Sequence, residues 1–140
     1  MRNDWRDTHD EMSAANVRLA HRAIGEFNET RRCGPAFEAC IHPDVSFEDE
    51  IGAYDTRDQV RDFLEGFADA IGGLQVEIQK TREVGETVVL EVIQSGRGSA
   101  SAAPVEQPFT WVLRFEGSRC VRWRIWADHE KALEDVGISE

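Results

Sequence analysis

The 140-residue sequence contains no run of about eighteen apolar residues, so no segment of it reads as a membrane span. Basic residues are also scarce: 16 lysines and arginines stand against 27 aspartates and glutamates, for a formal net charge of −11. Such a surface repels a phosphate backbone, which excludes nucleic acid as an expected partner. The three cysteines, Cys33, Cys40 and Cys120, form no C-x-x-C pair and no zinc-ligand spacing, and the four histidines are scattered. No metal is expected, and the thiols read as reduced and mostly buried. No G-x-G-x-x-G follows a strand and no serine or cysteine sits in a nucleophile elbow, so neither a dinucleotide nor a covalent nucleophile is expected. The opening "MRNDWRDTHDEMS" lacks the apolar stretch of a secretory signal, which makes the cytoplasm the expected location. No internal repeat and no low-complexity segment is present.

What is there suits one domain. Residues 1–12 read as a flexible lead-in to a domain over 13–140, with Ser13 as the expected N-cap of a helix whose apolar stripe is Val17, Ala20, Ile24 and Phe27. Gly34 and Pro35 break the chain before a short second helix carrying Ala36, Phe37 and Cys40 inward. "HPD" reads as a turn and "VSFED" as a short strand. Thr56 or Asp55 caps a third helix with Val60, Phe63, Leu64, Phe67 and Ile71 on one face, and Gly72 and Gly73 are expected to end it. The period then changes to two. Four strands follow as two hairpins turning near Gly85 and at Glu116 to Ser118, and "HEKALEDVG" forms a last short helix. "SGRGSASAAP" reads as a mobile connection near a pocket rim, with Arg97 and Glu106 beside it. Helices, one strand, a helix and four consecutive antiparallel strands make an α+β class.

This order of elements resembles the SnoaL-like family of the nuclear transport factor two and ketosteroid isomerase-like superfamily. The likeness rests on "HPDVSFEDEIG" and "TRDQVRDFLEGF" in the first half and "PFTWVLRFEGSRCVRWRIWADHEKALEDVG" at the end, and covers roughly residues 14–138. The resemblance implies a cone-shaped barrel, a curved mixed or antiparallel sheet wrapped around N-terminal helices, with an internal apolar pocket and usually a dimer. It also places Asp49 of "SFEDEIG" on the general base of the isomerase. A carboxylate in an apolar cavity is poorly solvated and therefore a better proton acceptor, whatever the family. The isomerase's two oxyanion donors do not carry over: its tyrosine position holds Ala23, and its protonated aspartic acid position holds Trp111. Of the W-R-D-x-x-D pattern of epoxide hydrolase relatives, "WRIWAD" keeps only the second acid, Asp128, with Ile125 in place of the first.

The candidate catalytic residues are thus Asp49 as acid/base, Tyr54 as a hydrogen-bond donor at the pocket mouth or a packing residue over the third helix, and Asp128 as a second acid or a helix cap. The candidate substrate-binding residues are Phe63 and Phe67, Gln94, and the alternating Trp111, Leu113, Trp123 and Ile125, which share one sheet face. That face reads equally as a plain core. On the opposite face Arg114, Arg122, Arg124 and Trp126 point to a homodimer interface, since arginine and tryptophan are enriched in interfaces. The expected function is a cofactor-independent isomerase, cyclase or dehydratase acting on a small hydrophobic carbonyl compound. The alternative is a noncatalytic ligand-binding or dimerisation module of the same fold.

Overall fold

The structure, a computed structural model, describes residues 4–98 and 104–138. Its elements in chain order are helices α1 (Asp4–Thr30) and α2 (Pro35–Cys40), strands β1 (Ile41–Glu48) and β2 (Ala53–Tyr54), helix α3 (Arg57–Ala70), strands β3 (Ile71–Val84), β4 (Thr87–Gly98), β5 (Pro104–Glu116) and β6 (Arg119–Trp126), and helix α4 (His129–Val136). The six strands make one open sheet in the order β2-β1-β6-β5-β4-β3. β1 lies parallel to β6 and every other pairing is antiparallel. This is the expected α+β class with a mixed sheet, left open at β2 and β3 instead of closing on itself.

Local signals explain most element ends. Thr56 Oγ1 accepts the Gln59 N–H at 3.2 Å and starts α3, whose apolar residues recur at helical spacing. Gly85 and Gly117, with φ of 61° each, supply the left-handed residue that the two tight hairpins need. Asp128 Oδ1 accepts the Glu130 and Lys131 amides at 2.9 and 3.3 Å to open α4, and Gly137 at φ 82° closes it.

Three expectations are corrected. α1 begins at Asp4, well ahead of Ser13, so Ser13 lies inside the helix and is not its cap, and residues 4–12 are helical rather than a loose lead-in. The "HPD" segment belongs to β1, which starts at Ile41. Pro43 has no amide hydrogen to donate, and the register against β6 shifts between Ile41 and Ser46; His42 Nδ1 accepts the Asp44 N–H at 3.0 Å within this irregular stretch. Ile71, Gly72 and Gly73 form the start of β3, not the end of α3. Tertiary pairing overrides the glycine stop signal there: a Cβ on Gly96 of β4 would come within 2.5 Å of Ile71 Cγ2, so only glycine allows β3 to begin so close. Of the expected small-residue connection, residues 95–98 belong to β4 and Pro104 to β5, and residues 99–103, the other half, lie outside the described residues.

The last turns of α1 tie the helices to the sheet. Glu26 accepts backbone N–H bonds from Gly34 and Ala36 at 3.0 and 3.2 Å and from Phe37 at 3.4 Å, covering the N-terminus of α2 with a carboxylate. Asn28 faces the outer edge of β3. Its Nδ2 donates to Val76 O and its Oδ1 accepts from Val76 N, both at 2.8 Å, as a neighbouring strand would do. Asn16 Nδ2 donates to Gly117 O at 3.1 Å and holds the same helix to the β5–β6 turn.

α4 packs on β5 and β6, on the face opposite α1 and α3, where Thr110 Oγ1 and His129 Nδ1 are 2.9 Å apart. Arg122 makes a two-pronged ion pair with Asp135 at 2.8 and 3.0 Å, and Trp126 Nε1 donates to the same carboxylate at 3.2 Å. Arg124 donates to Ser46 O at 2.8 Å and to Ser46 Oγ at 3.1 Å. Of the outward stripe, only Arg114 is exposed. Among the described residues no helix is long and apolar enough to cross a membrane.

Replacing Asn28 by alanine removes both bonds to the Val76 backbone. The expected result is a loss of about 1–3 kcal/mol of stability in urea denaturation, with Asn28→Asp losing the donor half of the clamp and falling in between.

Candidate functional site

Alternation along β1 sets the site. Val45 and Phe47 are fully buried and Glu48 is exposed, so the next inward position is Asp49. The chain turns back at that point. Asp49 Oδ1 accepts the N–H groups of Ile51 and Gly52, each at 2.8 Å, and Asp49 N donates to Gly52 O at 3.0 Å. This turn delivers β2 and fixes the half-buried carboxyl at the lining of a cavity, with no hydrogen bond to its second oxygen, Oδ2, among the described residues.

The cavity has a volume of about 260 Å³ and a predominantly apolar wall. α1 contributes Ala20, Ala23, Ile24 and Phe27; α3 contributes Phe63, Leu64 and Phe67; the sheet contributes Leu74, Val76, Phe109, Trp111, Leu113, Trp123 and Ile125. An apolar cavity of about 150 Å³ takes benzene, so this one has room for two fused six-membered rings. Phe63, Phe67, Gln94, Trp111, Leu113, Trp123 and Ile125 therefore all line one space, as the alternation of the strands and the stripe of α3 indicated.

An aromatic series runs along one side. The Trp111 and Trp123 rings are 5.1 Å apart at 52°, Trp123 meets Phe47 edge-on at 4.9 Å, and Phe47 meets Phe63 at 5.7 Å. Trp111 and Trp123 are only 6% and 4% exposed. Their indole nitrogens are fully buried and neither has a hydrogen-bond partner among the described residues. A buried donor left unpaired costs on the order of 1–3 kcal/mol, which the packing of these rings offsets.

The other two proposed catalytic residues sit elsewhere. Tyr54 is not part of the cavity lining; its ring packs on Phe63 at 5.2 Å and Phe47 at 5.9 Å, the packing role over α3. Its hydroxyl lies against Gly52, within the turn that holds Asp49. Asp128 is exposed and absent from the cavity lining, its Oδ1 engaged as the cap of α4. The strand ends two residues before it, so the alternation that turns Trp123 and Ile125 inward no longer governs its side chain.

Sequence reasoning missed Gln107, Glu50, Ile51 and Cys33 in the lining. Gln107 was legible: it continues the inward parity of Phe109, Trp111 and Leu113, and it is the direct cross-strand partner of Gln94. Two side-chain amides therefore face one another across β4 and β5. Glu106, one position off, has the opposite parity and is not in the lining. Ile51, at 79% exposure the one exposed large hydrophobic residue among those described, follows Asp49 in the turn at the mouth, which no periodicity reports.

Cys33 and Cys40 also line the cavity. Burial pushes the Cys33 thiol up to about 12, with the Glu65 carboxylate adding to it, and burial alone pushes Cys40 up to about 12. Cys120, on β6, is raised further, by burial first and by Cys40 second. These are neutral thiols, unsuited to nucleophilic attack. Among the described residues no group of three or more His, Cys, Asp or Glu side chains is placed to hold a metal ion.

The raised thiols have a measurable consequence. The folded chain keeps protons that unfolded thiols release from about 9 upward, so this contribution to stability is complete below about pH 9 and declines as pH climbs toward 12. The slope of urea stability against pH above 9 is expected to be shallower in the triple variant Cys33→Ala, Cys40→Ala, Cys120→Ala, and iodoacetamide is expected to label the wild-type thiols only after unfolding.

Comparisons with known proteins agree with this geometry. The family model described as a SnoaL-like domain matches residues 7–123. No curated protein sequence matches the chain. Among solved structures, a provisionally assigned SnoaL-like polyketide cyclase from Jannaschia sp. is similar with a TM-score of 0.75 at 13% identity, over 100% of this chain and 99% of that one. A nuclear transport factor 2-like protein of unknown function from Burkholderia pseudomallei is similar at 0.71 and 20% identity, over 89% and 98%. A protein of ketosteroid isomerase-like fold from Catenulispora acidiphila, solved with trimethylamine, is similar at 0.62 and 21%, over 74% and 82%. At these identities the likeness is one of fold.

Proposed function

The chain belongs to the SnoaL-like domain family, and from that premise we propose that it takes a small, largely apolar carbonyl compound into its cavity and that Asp49 moves a proton at the carbon beside the carbonyl. The observation that carries this reading is the attachment of Asp49: one oxygen is pinned by two amides of its own turn, and the other, on a carboxyl lining an apolar cavity, has no partner among the described residues. A base must be held still and within reach of the carbon it deprotonates. The turn supplies the first condition, and the inward parity of β1 supplies the second. The carboxylate takes a proton from the α-carbon, leaving an enolate, and returns it to the same or a conjugated carbon. That cycle needs no cofactor and is an isomerisation; in a cyclisation the enolate carbon instead bonds to a second carbonyl carbon and the proton goes to the alkoxide formed there, and in a dehydration the proton goes to a β-hydroxyl, which leaves as water.

Binding without chemistry is the second reading. It is favoured by the turn-closing role of the same carboxylate, which is reason enough for an aspartate at this position, and by Ala23 in the lining where the isomerase resemblance calls for a tyrosine. Deuterium exchange separates the two. With β-tetralone, a two-ring ketone of suitable size, the wild-type protein in heavy water is expected to exchange the α-protons faster than buffer does. Asp49→Asn is expected to slow that exchange by about 10² or more while keeping affinity within a few-fold. Exchange equal to buffer in the wild type, or unchanged in Asp49→Asn, leaves binding as the function.

A homodimer through the outer sheet face, in a cytoplasmic setting that keeps the three thiols reduced, belongs to the same proposal. It rests on a narrower surface than the sequence indicated, because Arg122 and Trp126 are engaged by Asp135 and Arg124 by Ser46. Arg114→Glu is then expected to shift sedimentation from dimer toward monomer; a wild-type monomer in sedimentation rejects the interface.

A further inference from the structure

Five buried side-chain nitrogen or oxygen atoms among the described residues have no hydrogen-bond partner: Arg31 Nε, Arg57 Nε, Glu91 Oε2, Trp111 Nε1 and Trp123 Nε1. Of these, only the two indole nitrogens belong to side chains that line the cavity. They also belong to neighbouring strands in direct register two residues apart, since Leu113 pairs with Trp123 and Trp111 with Ile125, and their rings meet at 5.1 Å. An indole N–H can only donate. Two unsatisfied donors on adjoining rings of an apolar wall are therefore left without an acceptor by the described residues.

We propose that the indole N–H groups of Trp111 and Trp123 form a paired donor anchor for the ligand's carbonyl oxygen, so that the ligand is a flat, one- or two-ring ketone or quinone-like compound instead of a plain hydrocarbon. This rests on the reading of the cavity as a small-molecule site, but it does not require that Asp49 perform chemistry. Trp111 occupies the position where the resemblance to the isomerase calls for a protonated aspartic acid, and Trp123 supplies a second donor from the adjacent strand. Both are neutral donors, able to stabilise charge growing on an oxygen that has reached them. Where Asp49 removes an α-proton, the electron pair moves onto that oxygen. Both nitrogens are enclosed in the empty site, so the proposed anchor requires the rings to turn for the oxygen to reach them. The paired amides of Gln94 and Gln107 are a separate polar feature of the lining, suited to a second, more hydrophilic substituent.

The test compares β-tetralone with tetralin, its hydrocarbon counterpart of nearly equal shape, by calorimetry in the Asp49→Asn background. This choice keeps the result independent of catalysis. The ketone is expected to bind about tenfold more tightly than the hydrocarbon. That preference is expected to shrink in Trp111→Phe and in Trp123→Phe and to vanish in the double variant, while tetralin affinity changes little. Because either substitution opens space in the core, the same question is asked of the wild-type fold by nitrogen-proton NMR. Two of the indole N–H resonances are expected to move downfield with β-tetralone and not with tetralin, and the Trp126 resonance, already bonded to Asp135, is expected to stay in place. Equal affinity for ketone and hydrocarbon, a preference that survives the double variant, or indole N–H resonances indifferent to the ketone would each overturn the anchor. Loss of α-proton exchange in Asp49→Asn with the ketone preference intact supports both readings, and a ketone preference without any exchange in the wild type keeps the anchor and removes the chemistry.

Discussion

Two hydrogen bonds of 2.8 Å between the side-chain amide of Asn28 and the backbone of Val76 tie α1 to the free edge of the sheet. An open sheet whose edge strand lacks a neighbour has unpaired N–H and C=O groups at every second residue, and Asn28 satisfies one such residue as a strand would. Two residues earlier, Glu26 gathers the first amides of α2. One end of one helix thus holds both the sheet edge and the short helix that leads into β1. The space between α1, α3 and the sheet stays open because these polar contacts lie at its margins while the side chains across the middle do not meet.

A hollow interior of this kind is unusual for a chain of this size, because interiors normally pack to the density of organic crystals. Here the hollow is bordered by rings that support one another edge to face, from Trp111 through Trp123 and Phe47 to Phe63. Rigid aromatic side chains keep a wall in shape without filling the space in front of it. The polar groups in that wall are few: the carboxyls of Asp49 and Glu50 on the turn after β1, the thiols of Cys33 and Cys40, two indole donors buried in the aromatic series, and a pair of amides facing across β4 and β5. In the proposed role such spacing serves to orient a ligand as well as to hold it.

The legible part of the site was the part built on regular alternation. Period-two parity turned Trp111, Leu113, Trp123 and Ile125 to one face and carried β1 inward to Asp49, and helical spacing put Phe63 and Phe67 on the buried side of α3. Phe109 and Gln107 follow from the same rule, one and two steps of the alternation before Trp111, where the expected inward set began. Parity stops at a strand end. Asp128 lies beyond β6, where the backbone bends into the cap of α4, and Tyr54 follows a tight turn that directs its ring to Phe63 rather than into the cavity.

The α+β class, the order of helices and strands, and the inward residues of each strand are properties of periodicity and turn chemistry, so the sequence by itself determined them. Three things were decided only when the elements met. Whether Trp111 and Trp123 filled a core or bordered a cavity depended on how α1 and α3 stand against the sheet, a tertiary arrangement in which Asn28 ties α1 to β3 and which no local pattern reports. The outward arginines became largely internal because α4 returned across β5 and β6 and offered Asp135 to Arg122 and Trp126. Asp49 has its place because its own turn holds it, a contact of two and three residues; the meaning of that contact comes from the cavity, whose walls are drawn from residues as far apart as Ala20 and Ile125.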